Sequence, residues 1–111
     1  MRYNAHMFAS GGREMNVGVC KLTLRLPENQ DLKGKRRVVK SLCDRIRFKF
    51  NVTIAEVDNN DKWQVATLGI ACVSNSNRQV AQALDQVISY IEESRVDVEM
   101  VECEVEALSG F

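Results

Sequence analysis

Hydrophobic periodicity changes along this chain in an order that few folds accommodate: two, then 3.6, then two in a pair of neighbouring runs, then 3.6, then two. A period of two buries one face of a strand, and a period of 3.6 buries one stripe of a helix. Over residues 16–26, Cys20, Leu22, Leu24 and Leu26 fall on one face and Val17, Val19, Lys21, Thr23 and Arg25 on the other, the pattern of a half-buried strand. Pro27 ends that strand, and Asp31 is placed to cap a helix over 32–50. In this helix Leu32, Val39, Leu42, Cys43, Ile46 and Phe50 gather on one arc, while Lys33, Arg36, Arg37, Lys40 and Arg47 gather on the opposite one. The β-branched run 51–57 and the alternating run 63–73 predict a hairpin around the polar turn 58–61. Val80, Ala83, Leu84, Val87, Ile88 and Ile91 then repeat at helical spacing, after N-cap candidates at 74–77 and ending at about Glu93. A last strand over 97–108 places Val101, Cys103, Val105 and Ala107 on one face and Glu102, Glu104 and Glu106 on the other.

The order β-α-β-β-α-β specifies an α+β fold, the ferredoxin-like plait. Four antiparallel strands then lie in the order 4-1-3-2 with both helices on one face. A chain of 111 residues buries one core of this size and has no room for a second. We assign residues 16–109 to a single domain and residues 1–15, which carry Gly11-Gly12 and no periodicity, to a disordered tail or an upstream extension before Met15. No apolar run approaches a membrane span and no signal-peptide core is visible, so a soluble cytoplasmic protein without a membrane partner is expected.

The formal net charge of zero conceals a segregation. Residues 1–62 hold 13 Lys or Arg against 7 Asp or Glu, whereas residues 63–111 hold 2 against 8. Segment 31–49 alone has eight basic residues and two acids. Such asymmetry points to a nucleic-acid surface or to halves that pair with each other. In the expected fold the first strand lies beside the last, so Lys21 and Arg25 face part of the Glu102, Glu104 and Glu106 row. The cationic helix face has no such local answer.

Other chemistry finds little support. The four cysteines, at 20, 43, 72 and 103, include no C-x-x-C pair and all sit at expected core positions, as buried free thiols rather than metal ligands or disulfides. The single histidine, His6, falls in the tail, which removes Cys-His and Ser-His nucleophilic mechanisms from the folded region. Glu56, Asp58 and Asp61 flank the hairpin turn and could hold a cation, although a short acidic turn is usually just solvated. Gly34, in Leu-Lys-Gly-Lys-Arg-Arg, does not make a phosphate loop, which needs a G-K-[ST] ending. No enzymatic activity and no cofactor are expected.

Nucleic-acid binding is the chemistry with positive support. An RNA-recognition-motif sheet stacks bases on aromatics, but here the central positions are Val19, Lys21, Thr23, Thr67, Gly69 and Ala71. RNA contact is therefore expected through the helix, with Lys33, Lys35, Arg36, Arg37, Lys40 and Arg47 as candidate phosphate ligands. Phe48 and Trp63 are candidate stacking residues, set against ordinary packing. The open sheet face, with Val17, Val19, Thr23, Thr53, Thr67, Ala71, Val98 and Met100, offers an apolar surface for self-association into a dimer.

The stretch VGVCKLTLRLPENQDLKGKRRVVKSLCDRIRFKFNVTIAEVDNNDKWQVATLGIACVS closely resembles the YlxP-like family, a domain-of-unknown-function family of small bacterial proteins. The resemblance covers about residues 16–108 and rests on the K-x-K-R-R-V-V-K-S-L helix start, the F-N-V-x-x-A-E-V strand and the W-Q-x-A-T-L-G-x-A-C-V-S strand. It implies a ferredoxin-like plait in a bacterial cytoplasmic protein whose genes often lie near those for translation initiation and ribosome maturation factors. Lys33, Lys35, Arg36, Arg37 and Lys40 match the family's basic motif, and Gly34 stands where an acidic or polar residue is common. The resemblance supplies no catalytic residue. The leading expectation is a non-enzymatic, ribosome-associated accessory protein that binds structured or ribosomal RNA. The alternatives are a homodimeric protein-interaction module using the open sheet face and a small hydrolase or phosphate-ligand binder using the same cations.

Overall fold

A computed structural model describes residues 15–94 and 97–109. The tail expected over residues 1–15 lies, apart from Met15, outside the described residues. The elements run in the expected order: β1 (Asn16–Arg25), α1 (Leu32–Lys49), β2 (Thr53–Asp58), β3 (Val65–Ser74), α2 (Asn77–Ser94) and β4 (Glu99–Leu108). The strands form one antiparallel sheet, β2-β3-β1-β4, which is the expected 4-1-3-2 order read from the other edge.

Each element forms where its local chemistry directs it. Asp31 caps α1 by accepting from the Gly34 N–H at 2.6 Å, which satisfies one of the orphan donors of the first turn. At α2, Ser76 Oγ accepts from the Gln79 N–H at 3.3 Å, and Gln79 Oε1 in turn accepts from the Ser74 hydroxyl at 2.8 Å. The β2-β3 connection turns through Asn59, whose φ of 59° is in the left-handed region that Asn tolerates. Asp58 steadies the turn, its Oδ1 accepting from the Asn59 N–H at 2.7 Å.

The core lies between the sheet and the two helices. β1 contributes Cys20, Leu22, Leu24 and Leu26, and β3 contributes Ala66, Leu68, Ile70 and Cys72. Val39, Leu42, Cys43 and Ile46 close over them from α1, and Val80, Leu84, Val87 and Ile91 from α2. Gly18 on β1 is a close-approach position, since a Cβ there would collide with the Val80 and Leu84 side chains of α2.

The last strand departs from simple alternation. Between Thr23 and Leu24 the β1-β4 register shifts, so that Thr23 pairs with Glu102 and Leu24 with Met100, leaving Val101 as the extra residue of a bulge. The bulge reverses the phase of everything before it. Met100 and Val98, expected on the open face, instead pack against the core. Beyond the bulge, Cys103, Val105 and Ala107 do face the helix side opposite Leu22, Cys20 and Gly18, yet all three are exposed. Cys103 is thus not the core thiol that its spacing predicts; α2 covers β1 and β3 and leaves this stretch of the edge strand uncovered.

Candidate nucleic-acid interface

The basic residues of α1 divide into three groups once their partners are known. Lys33, Arg36 and Arg37 are exposed and make no ion pair among the described residues. Their spacing, i, i+3 and i+4, makes them neighbours on one helical surface. Lys40 and Arg47 also point outward but share a carboxylate: Lys40 Nζ reaches Asp44 Oδ2 at 2.7 Å and Arg47 Nη1 reaches Asp44 Oδ1 at 3.2 Å. The hydrogen bond from Lys40, aided by the Arg47 charge, holds the Asp44 carboxyl below its usual range. Arg47 also donates from Nη2 to the Ile54 carbonyl at 2.7 Å, which ties the end of α1 to β2. Arg45, which the opposite-arc argument passes over, is exposed as well and adds a cation near the C-terminal end of the helix.

Lys35 belongs to neither surface group and is withdrawn as a phosphate ligand. It lies four residues before Val39 and seven before Leu42, on the inner stripe of the helix, and its side chain is fully buried. The ammonium donates to the Asn59 carbonyl at 2.7 Å and the Val65 carbonyl at 3.3 Å, and sits 2.8 Å from Glu56 Oε2. The last contact is an ion pair off the axis of a hydrogen bond, so Glu56 Oε2 counts no hydrogen-bond partner while it still faces a full positive charge. Lys35 clamps both ends of the β2-β3 turn to α1. It also takes Glu56 away from the acidic turn, and no group of three His, Cys, Asp or Glu able to hold a metal occurs among the described residues.

The N-terminal end of α1 is built on Gly34. A side chain there would run into Asn29 and Asp31. Asn29 bridges two loops at this point, its amide donating to the Asp31 carbonyl at 2.7 Å and to the Trp63 carbonyl. Gln64 donates to the Pro27 and Asn29 carbonyls at 3.3 and 3.0 Å. This network brings Trp63, which is 49% exposed, to the same end of the molecule as Lys33. The other candidate aromatic is far more exposed: Phe48, in the last turn of α1, is 95% accessible. Phe50, two residues on, packs edge-on against Tyr90 with ring centroids 5.6 Å apart.

The opposite face of the sheet is open. Val19, Lys21, Thr53, Ala55, Val57, Gly69 and Ala71 line a shallow trough of about 530 Å³, with Glu104 and Glu106 along one side. Among the described residues no aromatic lines it. Register places Lys21 beside Glu104, whereas Arg25 pairs with Glu99 at 3.3 Å instead of with the glutamate row.

Fold and surface together define an α+β plait with a basic outer helix and an acidic edge strand. The chain belongs to the family described as Protein of unknown function (DUF503), whose model matches residues 17–105. It is similar to a Bacillus subtilis (strain 168) protein named "Uncharacterized protein YlxP", at 43% identity over 76 residues, which covers 68% of this chain and 83% of that protein. The resemblance carried by the helix and strand motifs is thereby established. No helix among the described residues is long and apolar enough to cross a membrane.

Proposed function

We propose that this protein is a non-enzymatic RNA-binding accessory factor, ribosome-associated and cytoplasmic, that holds an RNA phosphate backbone against the outer face of α1. The observation that carries this reading is the cluster Lys33, Arg36 and Arg37, exposed and without an ion pair among the described residues, on a helix where Lys40 and Arg47 share one aspartate. Unpaired cations at helical neighbour spacing attract phosphates and release counterions, so affinity falls steeply with salt. Three to five neutralised phosphates correspond to a slope of log K on log salt of about −2 to −4. The test is binding of ribosomal RNA and ribosomal subunits across a salt series, for the wild type and for Arg36→Glu/Arg37→Glu/Lys40→Glu. The expected result is a steep slope in the wild type and lost binding in the triple variant. Salt-independent or absent wild-type binding overturns the reading, and a folded triple variant that binds equally well removes α1 as the interface.

A second reading, favoured by the trough on the open sheet face, is a homodimeric interaction module. Small residues at Ala71 and Ala55 let another sheet approach closely, Val57 packs over Gly69, and the floor is apolar. Sedimentation of Val19→Glu checks it: the reading expects a dimer that becomes a monomer, and a monomeric wild type removes it.

A further inference from the structure

Resting on the α1 reading, we infer that Phe48 is a base-stacking residue and that the RNA recognised by this helix therefore presents an unpaired base. A phenylalanine 95% exposed near the end of an amphipathic helix serves neither the core nor a neighbouring element, and it is absent from the residues that pack against the core. Its place on the helix gives it a role. Phe48 lies eleven residues after Arg37 and seven after Ser41, hence on the same outward stripe, roughly 16 Å further along the axis. Arg45, three residues earlier, lies beside it and is exposed.

The occupant follows from charge complementarity. Asp44, four residues before Phe48, already answers Lys40 and Arg47, but an apolar partner protein would leave Arg45 and the Lys33, Arg36 and Arg37 cluster uncompensated, whereas a nucleic acid supplies phosphates for these cations and a π-face for the ring. Stacking on an aromatic is tolerant of base identity, because every base has a face. An uninterrupted RNA duplex keeps its bases stacked inside and offers none to Phe48. The substrate class is accordingly RNA with a hairpin loop, bulge or single-stranded flank beside a structured phosphate run. The Lys33, Arg36 and Arg37 end holds the backbone and the Phe48 end selects for the exposed base.

The test compares a fluorescein-labelled RNA hairpin carrying an unpaired purine loop with a fully paired RNA duplex of equal length, by anisotropy at low salt. Variants are Phe48→Ala, Phe48→Trp and Arg36→Glu/Arg37→Glu. Phe48→Ala should weaken hairpin binding by about 5- to 100-fold while leaving duplex binding and the unfolding midpoint unchanged, and Phe48→Trp should restore it. Hairpin binding by Phe48→Ala at wild-type strength, with binding lost in the arginine variant, overturns the stacking and leaves the phosphate reading standing; a protein-docking role for the ring would give this outcome. Equal weakening on hairpin and duplex also overturns it, because no unpaired base is then being selected. A wild type that binds neither RNA fails the phosphate reading itself, and the stacking falls with it.

Discussion

At the scale of single residues, the clearest lesson is Lys35. In the sequence it is one of four cations in Lys-Gly-Lys-Arg-Arg, and its neighbours Arg36 and Arg37 are indeed at the surface. Its own inward direction is legible from its spacing to Val39 and Leu42, yet a lysine on a core stripe is acceptable only if partners wait there. Those partners, Glu56 and the carbonyls of Asn59 and Val65, come from the hairpin, 21 to 30 residues away. A buried ion pair adds little over a well-packed apolar substitute, but removal of one member strands the other. Lys35→Met should therefore cost about 3–5 kcal/mol in denaturant unfolding, because Glu56 and two carbonyls lose their donor. A cost below about 1 kcal/mol would show that the pair is worth no more than an exposed one.

At the scale of elements, α1 illustrates how a helix can be well predicted in extent and misjudged in chemistry. Its cap at Asp31 and its apolar stripe were readable because both are local: a side chain reaching three residues ahead and a repeat of 3.6. The effective charge of its outer face was less readable, since Asp44 engages both Lys40 and Arg47. Because the Asp44 carboxyl titrates lower in the folded protein than in the unfolded chain, its contribution to stability is complete above the ordinary aspartate pKa. That contribution is lost as pH falls through the lowered folded value. Asp44→Asn should consequently flatten the acid limb of a stability-versus-pH curve measured by urea midpoints. In the RNA salt series the same variant frees Lys40 and Arg47 and should steepen the slope by up to about two. An unchanged acid limb would mean that the two pairs contribute nothing to folding, and an unchanged slope would mean that the freed cations do not reach phosphate.

At the scale of the whole molecule, the charge segregation becomes spatial. α1 packs over β2, while the glutamates of β4 line the opposite edge of the sheet, so a polyanion is drawn to one side and repelled from the other. The same arrangement explains the cysteines. Cys20, Cys43 and Cys72 are buried between the sheet and the helices, but the part of β4 beyond the bulge is left uncovered and Cys103 is exposed, its Sγ 3.8 Å from that of Cys20. Burial, together with the neighbouring Cys103 thiol, pushes the Cys20 pKa up to about 12, so Cys20 remains a protonated, unreactive thiol near neutral pH. Titration with a chromogenic disulfide reagent at mildly alkaline pH should release one equivalent quickly, from Cys103, and the other three only after unfolding. Four slow thiols would place Cys103 in a covered position.

Element order, the caps, the core stripes of β1, α1, β3 and α2, and the basic face of the first helix were all legible in the residue pattern, because each depends on a repeat or a contact within a few residues. Long-range packing makes Lys35 a clamp, turns Met100 inward at the Val101 bulge and leaves Cys103 exposed. Those outcomes depend on which distant strand supplies a partner and on how far a helix extends over the sheet, and no periodicity within a segment encodes either.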